Sequence, residues 1–378
     1  MSIELTQSQV MLHQMVVDFT DKEVKPLDRL IDKERNYPAE LWDKMIDNGF
    51  LGLTIPEEYG GAGFDVIASS QTIYDFAVRN ASMAFTLEGH YKSVDQVLNY
   101  ATDELKEKYL PQANHRIFGF SSTEPQGGSN VMGHTAKAVK EDDKWILNGN
   151  KTMITNGGLA QVYCVLLKTS PTELSCFLVD EDMPGFKHGK REKFIGMNGT
   201  PVGEIFMENI VVSEDHLLGK IGQGVEIGDN AHYDARISMG AIAAGITEHA
   251  LTIAVDYAKQ REVKGAPITQ LYSIQEKITE IAIAKENTQL LYQEAARLKV
   301  AGKSYAKVAT MAKSYGSRAS YAAADHALQV LGGYGYSQEY PVEHLIRDAR
   351  ALQLAEGSLE KMMIEIAKEV IDEREESI

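Results

Sequence analysis

The chain is poor in cysteine and has no long apolar run. Cys164 and Cys176 are the only cysteines among its 378 residues, so neither a disulfide framework nor a zinc cluster is expected. No uninterrupted apolar stretch approaches the roughly 20 residues that cross a bilayer. The opening residues lack the basic-then-apolar order of a signal peptide and the Arg-rich, acid-poor character of a transit peptide. We therefore expect a cytoplasmic protein.

Basic charge is also scarce. The 38 lysines and arginines are outnumbered by 54 aspartates and glutamates, which gives a formal net charge of -16. Such a surface repels a phosphate backbone, so nucleic acid is an unfavourable partner. The phosphate loop GxxxxGK[ST] is absent, and no GxGxxG lies between a strand and a helix. This argues against a Rossmann nucleotide-binding domain.

Apolar residues are plentiful and fall into three blocks. The hydrophobic fraction of 44% is enough for a large core, and 378 residues exceed the usual size of one core, so several subdomains are expected. Helical spacing governs residues 1–117 and 228–378, whereas residues 118–227 show the alternation of strands between Pro and Gly turns. We predict an α+β protein with an N-terminal helical domain, a central β domain and a C-terminal helical domain.

Short segments at the boundaries of these blocks place polar groups beside glycines. FGFSSTEPQGGSN (118–130) could bind a polar ligand or be an ordinary turn. LNGNKTMITNGG (147–158) ends a strand and could be a plain hairpin. Glu356 and Gly357 lie between two helical runs and could form a helix end with a left-handed glycine. GGYGY (332–336) could be a helix break. None of these segments decides the function alone.

Together and in order, these motifs resemble one family. They are IPEEYGGAG (55–63), TEPQGGS (123–129), MITNGG (153–158), QREVKGAPI (260–268), QVLGGYGY (329–336), and RDAR followed by EGS (347–358). The chain resembles the acyl-CoA dehydrogenases nearly end to end, and in particular the short-chain, butyryl-CoA type. The resemblance implies a helical domain, a β-barrel-like domain and a C-terminal four-helix bundle, with FAD as cofactor.

The resemblance also implies which residues contact FAD, in a homotetramer built as a dimer of dimers. Thr155 would offer its hydroxyl near flavin N5, and Ser129 would reach the pyrophosphate. The remaining contacts within the subunit are Ser122, Thr123, Met153, Ser358 and Glu360. A neighbouring subunit would complete the site with Arg261, Lys264, Gln329 and Gly333.

Glu356 matches the general base of the family. A thioester Cα–H is a very weak acid, so a desolvated carboxylate suits its removal. The resemblance implies that the β-hydrogen leaves as hydride to flavin N5, and that the main-chain N–H of Glu356 and a ribityl hydroxyl polarise the carbonyl. Some members carry the base beside the arginine that corresponds to Arg236. Ala235 occupies that place here, and Asp234 remains a rival.

Some positions depart from the family pattern. Lys264 stands where Phe is usual and Ala266 where Lys is common, which weakens the expected contact to the neighbour's FAD. Met153 replaces an aromatic residue, although a thioether can still cover the flavin. Ala355 replaces a Tyr before the base and would open the acyl end of the pocket.

The segment TLEGHYKSVDQ (86–96) is more polar than the family usually shows. Its polar side chains could recognise a short acyl group with a polar or charged tail, or they could face water on a helix. The residues that we expect to contact substrate are Glu88, Tyr91, Ser129, Tyr233, Asp234, Arg236, Ala355 and Gly357.

The resemblance leaves several activities open. The favoured one is dehydrogenation of an acyl-CoA, with electrons passed to an electron-transfer flavoprotein. An acyl-CoA oxidase shares the motifs but is usually longer. Enoyl-CoA reduction in the reverse direction and a carrier-protein thioester as substrate are further alternatives. A non-enzymatic flavoprotein of the same fold is a distant third, which the acidic charge and the presence of Glu356 argue against.

Overall fold

The structure is a computed structural model that describes residues 5–128 and 130–375. Ser129 lies outside the described residues, and so do the pyrophosphate and substrate contacts predicted for it. Helices are followed by strands and then by helices, and this order confirms the predicted α+β class.

Helices form the N-terminal part of the molecule. They are α1 (Gln7–Phe19), α2 (Asp28–Glu34), α3 (Ala39–Asp47), α4 (Val66–Ala77), α5 (Ala81–Tyr100) and α6 (Asp103–Ala113), with short π and 3-10 turns at residues 20–27. The side chains of Asp65, Asn80 and Thr102 begin α4, α5 and α6, because each accepts a backbone N–H of the first turn. Helix α5 is almost entirely buried, so it lies at the centre of the packing.

The central part is a mixed sheet. Its strands are β1 (Phe118–Ser121), β2 (Lys137–Glu141), β3 (Lys144–Thr155), β4 (Val162–Ser170), β5 (Glu173–Asp180), β6 (Phe186–Arg191), β7 (Val202–Ser213) and β8 (Leu217–Leu218). Their order is β6-β7-β3-β2-β4-β5-β8, with β1 parallel to β4. Strands β2 and β3 form an antiparallel hairpin around a charged turn, in which Glu141 pairs with Lys144.

Long helices form the C-terminal part. They are α7 (Gly224–Gln260), α8 (Tyr272–Val300), α9 (Ala306–Leu331), α10 (Val342–Leu352) and α11 (Leu359–Glu375), and the short strands β9 (Glu262–Val263) and β10 (Ala266–Pro267) follow α7. Helix α7 is long and apolar enough to cross a membrane by composition, but 72% of its most apolar stretch is buried in the protein. That burial is typical of the core helix of a soluble fold.

Helix α5 joins the three parts, since it packs against α4, α7 and β1. Its Gly89 lies against the end of β3, where an added Cβ would stand 2.9 Å from Thr155 Cγ2 and 3.0 Å from Asn156 Nδ2. Asn156 Nδ2 also donates a hydrogen bond of 3.0 Å to the Thr86 carbonyl of α5. The end of β3 is therefore fixed directly on α5.

Candidate active site

Glu356 lies in the turn between α10 and α11. Its φ of 54° is in the left-handed region, and Gly357 follows with a φ of 98°. Glycine adopts this conformation without strain, whereas a glutamate is strained in it. Backbone strain of this kind is concentrated at functional sites. Gly357 is left-handed, as the helix-end alternative expects, but α10 ends at Leu352 with Gln353 as its cap, so Gly357 does not end that helix. The strain falls on Glu356 and fixes the direction of its side chain.

A cavity of about 320 Å³ opens beside Glu356. It is lined by Ser122, Thr123, Gly128, Met153, Thr155, His232, Arg236, Leu354, Ala355, Glu356, Gly357, Ser358 and Lys361. The lining comes from the end of β1, the end of β3, helix α7 and the α10–α11 turn. Residues far apart in the sequence that were predicted to touch flavin or substrate therefore meet in one space.

A lysine and a histidine hold the Glu356 carboxylate. Lys92 Nζ lies 2.6 Å from Oε1, and His232 Nδ1 lies 2.7 Å from Oε2. Burial acts to raise the pKa of Glu356, but the charge of Lys92 and the hydrogen bond from His232 outweigh it and hold that pKa well below its usual range. The carboxylate is thus ionised and ready to accept a proton, but it is a weak base while both partners remain.

Glu88 lies one helical turn before Lys92 on α5. Lys92 Nζ is 3.2 Å from Glu88 Oε1, yet within the described part of the chain neither carboxylate oxygen has a partner at hydrogen-bonding geometry. Burial raises the pKa of Glu88 to about 8. Glu88 and Lys92 are both buried, as are His90 and Tyr91, so the alternative that these side chains face water is wrong.

The α10–α11 turn is held from the side of α9 and α7. Lys313 donates from Nζ to the Gly357 carbonyl, and burial lowers the pKa of this lysine to about 7. Arg236 donates to Thr310 Oγ1 at 2.8 Å and to Glu365 Oε2 at 2.6 Å. These bonds anchor the turn that carries the base.

The structure places some predicted substrate residues away from the cavity. Asp234 forms an ion pair of 2.7 Å with Lys299 and accepts a hydrogen bond from Tyr305, so its carboxylate is engaged elsewhere. Tyr91 donates to the Phe50 carbonyl in the core. Tyr233 lies outside the lining, with the Arg236 guanidinium 5.3 Å from its ring centre. These three side chains pack around the site and do not line the cavity, so the substrate contacts predicted for them are absent from the lining.

The opposite wall is built from the ends of β1 and β3. An irregularity in the β3–β7 register between Lys151 and Ile154 turns Met153 to a φ of 56°, with half of its surface exposed. Beneath this wall Lys151 Nζ contacts the Ser122 carbonyl at 2.9 Å and Glu124 Oε1 at 2.7 Å. This buried ion pair fixes one strand on the other.

This wall fits an isoalloxazine ring. It presents hydroxyls of Ser122, Thr123 and Thr155 together with the Met153 thioether to a space that Glu356 closes on the far side. Ser121 Oγ, next to it, is buried and lacks a partner among the described residues. Within residues 5–128 and 130–375, no group of three or more His, Cys, Asp or Glu side chains could hold a metal ion.

The remaining predicted flavin contacts lie outside this cavity. Four of them are exposed: Arg261, Lys264, Gln329 and Gly333. Exposure is necessary for contact with the FAD of a neighbouring subunit, and that contact stays a prediction. Lys264 has a φ of 52° in the tight β9–β10 turn, a conformation typical of two-residue hairpins. Glu360 is exposed on α11 and does not line the cavity, whereas Ser358 does.

The two partners of Glu356 were not predicted from the sequence. His232 lies one turn before Arg236 on α7, and Lys92 lies one turn after Glu88 on α5, so helical spacing places each pair on one face. That spacing was a usable signal, but nothing in either helix shows that both faces meet at residue 356.

The fold and the cavity together indicate a flavin-dependent oxidoreductase. Three family models match the chain: the N-terminal domain of acyl-CoA dehydrogenase over residues 6–115, its middle domain over 119–210 and its C-terminal domain over 222–371. The chain belongs to the acyl-CoA dehydrogenase family, whose members are FAD flavoproteins.

Individual relatives agree with this assignment. The chain is 38% identical over 373 residues to an acyl-CoA dehydrogenase of Bacillus subtilis, covering 97% of this chain and 98% of that protein. Its fold matches butyryl-CoA dehydrogenase from Megasphaera elsdenii with a TM-score of 0.95 at 31% identity, over 98% and 100% of the two chains. A structure described as an electron transferring flavoprotein of Acidaminococcus fermentans matches with a TM-score of 0.95 at 34% identity, over 98% and 99%.

Proposed function

We propose that the protein dehydrogenates a short acyl-CoA thioester between Cα and Cβ, with Glu356 removing the α-proton. The observation that carries this proposal is the placement of a buried, ionised carboxylate across one cavity from the hydroxyl-rich wall that fits a flavin. FAD supplies the acceptor for the β-hydride when it is bound. The acyl group fits between that wall and Glu356, where Ala355 leaves more room than a tyrosine would.

The chain's own residues prepare the base for this task. Burial removes water from the carboxylate, and Lys313 with the left-handed turn fixes its position, so little reorganisation is needed at the moment of proton transfer. The main-chain N–H of Glu356 is the proposed donor to the thioester carbonyl. Proton transfer to Glu356 requires that the hold of Lys92 and His232 on it weakens when substrate binds.

We propose an electron-transfer flavoprotein as the acceptor of the electrons and a cytoplasmic homotetramer as the working form. The similarity to the Acidaminococcus fermentans structure supports the acceptor. The exposure of Arg261, Gln329 and Gly333 supports an assembly in which each subunit completes its neighbour's FAD site.

The test is anaerobic bleaching of the yellow holoenzyme by a panel of acyl-CoAs, with mass spectrometry of the products. We expect bleaching and a product lighter by two hydrogens in the wild type, and loss of both in Glu356→Gln. Asp234→Asn is the matched control, because it removes the charge of the rival carboxylate on the other side of α7. Activity retained in Glu356→Gln and lost in Asp234→Asn would contradict the assignment of the base.

The same panel separates the neighbouring activities. Rapid peroxide formation in air without a flavoprotein partner would indicate an oxidase. Bleaching by thioesters of a carrier protein, and not by CoA thioesters, would show that the acyl group is presented on a carrier protein. If nothing bleaches the flavin while a reduced flavoprotein drives reduction of an enoyl-CoA, the physiological direction is reversed.

A further inference from the structure

A buried lysine beside the base is not needed for proton abstraction, and it acts against it. Lys92 Nζ lies 2.6 Å from Glu356 and 3.2 Å from Glu88, and its side chain is only 6% exposed. A general base works best with a pKa near the operating pH, whereas Lys92 lowers the pKa of Glu356. Catalysis therefore requires that something else takes the charge of Lys92.

Glu88 is poorly placed to take that charge. It is almost completely buried, and neither of its oxygens has a hydrogen-bond partner at good geometry among the described residues. Burial raises its pKa to about 8, so near neutral pH it carries a proton that it can donate. A buried polar group without a partner is costly, and a ligand atom that accepts from it would remove this cost.

His232 adds a further hydrogen-bond donor at the same place. Its Nδ1 lies 2.7 Å from the second oxygen of Glu356, and it lines the cavity. The site thus combines one charged lysine, one protonated carboxyl and one histidine around a single carboxylate that has to be released. Together Lys92, Glu88 and His232 have more hydrogen-bond donors than the Glu356 carboxylate alone can accept.

The distances limit how far this group of donors lies from the reacting carbon. A base oxygen stands about 3–3.5 Å from the reacting atom in a productive complex, and Lys92 Nζ is 2.6 Å from Oε1. Lys92 is thus within about 6 Å of the substrate Cα along this path. Neither Lys92 nor Glu88 lines the cavity, so a short acyl tail has to extend past Glu356 to reach them.

We propose that Lys92 and Glu88 recognise a carboxylate at the end of a short acyl chain, so that the substrate is the monothioester of a short dicarboxylic acid. The tail carboxylate replaces Glu356 as the partner of Lys92 and accepts from Glu88. Glu356 is then released to act as base. A neutral tail leaves the ion pair in place, and the base stays weak. This inference rests on the proposed function and specifies its substrate.

Equilibrium binding to the holoenzyme tests the recognition without turnover. The probes are two thioethers that cannot be dehydrogenated as thioesters, S-(4-carboxybutyl)-CoA and S-pentyl-CoA, measured by calorimetry. We expect the wild type to bind the carboxylate probe tighter by about tenfold or more, as a charge-assisted hydrogen bond gives. Lys92→Met should abolish or reverse this preference. Lys92→Gln serves the same purpose if the methionine variant does not fold.

Lys299→Met is the matched control. Lys299 is also a largely buried lysine between two carboxylates, 2.7 Å from Asp234 and 3.2 Å from Asp95, but it lies outside the cavity lining. The control variant should keep the wild-type preference for the carboxylate probe. Loss of the preference in both lysine variants would overturn the specific role of Lys92.

The outcomes distinguish this inference from the proposed function. If wild type binds S-pentyl-CoA as well as or better than the carboxylate probe, the inference is overturned, while bleaching by butanoyl-CoA would still support the dehydrogenase. If neither probe binds and no acyl-CoA bleaches the flavin, both proposals fail. Bleaching that is faster with glutaryl-CoA than with butanoyl-CoA, and reversed in Lys92→Met, would support both.

Discussion

Substituting Gly89 by alanine tests how closely α5 and the flavin-facing end of β3 are fitted together. The added Cβ would stand 2.9 Å from Thr155 Cγ2 and 3.0 Å from Asn156 Nδ2, closer than ordinary van der Waals contact. Overpacking of this kind costs about 1–3 kcal/mol, and replacing a helical glycine by alanine returns about 1 kcal/mol. We therefore expect a net destabilisation of roughly 0–2 kcal/mol.

The strain should appear in FAD binding as well, because Thr155 lines the cavity. Part of the strain would displace the Thr155 hydroxyl, and each 1.4 kcal/mol lost in binding weakens affinity about tenfold. The assays are urea unfolding of the FAD-free protein and titration of that protein with FAD. A several-fold weaker FAD affinity is expected in Gly89→Ala.

Thr155→Ser provides the matched control in a double-mutant cycle. It removes the Cγ2 methyl group that meets the new Cβ and keeps the hydroxyl. The double variant should recover stability and FAD affinity relative to Gly89→Ala, with an interaction energy above about 0.5 kcal/mol. Additive effects within that limit, or an unchanged FAD affinity in Gly89→Ala, would refute the close packing inferred here.

Three other substitutions test separate features of the site. Burial raises the pKa of Glu88 from 4.5 to about 8. The contribution of this carboxyl to the free energy of unfolding is therefore complete below pH 4.5 and is lost as the pH rises through 8. Urea unfolding at several pH values should show that Glu88→Gln becomes more stable relative to wild type across that window. Lys151→Met should cost up to about 3–5 kcal/mol in the same assay, because it leaves Glu124 buried without its lysine counter-charge, while the Thr135 and Ala136 N–H groups still donate to that carboxylate; a loss below about 1 kcal/mol would contradict this. Arg261→Gln should leave subunit stability unchanged and weaken FAD retention in gel filtration, and unchanged retention would argue against the contribution to a neighbouring subunit.

The fold followed from local patterns in the sequence. Alternating residues predicted strands over residues 118–227, and helical spacing predicted helices over residues 228–378, because strand and helix periods are local properties. The order of motifs identified residues that line one wall of the cavity. Met153 and Thr155 meet Glu356 in the cavity as expected.

The partners of the base could not be predicted in this way. Lys92 is 264 residues and His232 is 124 residues from Glu356 in the sequence, and local spacing carries no information about which helix faces meet. Asp234 shows the same limit, because only the packing of α7 against α8 turns it toward Lys299. An exposed helix face was an open alternative for Glu88 and Lys92, because charged residues are seldom buried without partners. In the structure the two side chains are buried next to each other.

The central claim is that Glu356 removes the α-proton of an acyl thioester while the flavin is reduced. The most direct measurement is the rate of anaerobic flavin reduction, by stopped flow, with the best acyl-CoA of the panel and with the same compound carrying deuterium at both C2 positions. We predict a clear slowing with the deuterated substrate in wild type and in Asp234→Asn, and no measurable reduction in Glu356→Gln. Equal rates with both substrates at saturating concentration, together with flavin reduction retained in Glu356→Gln, would contradict the claim.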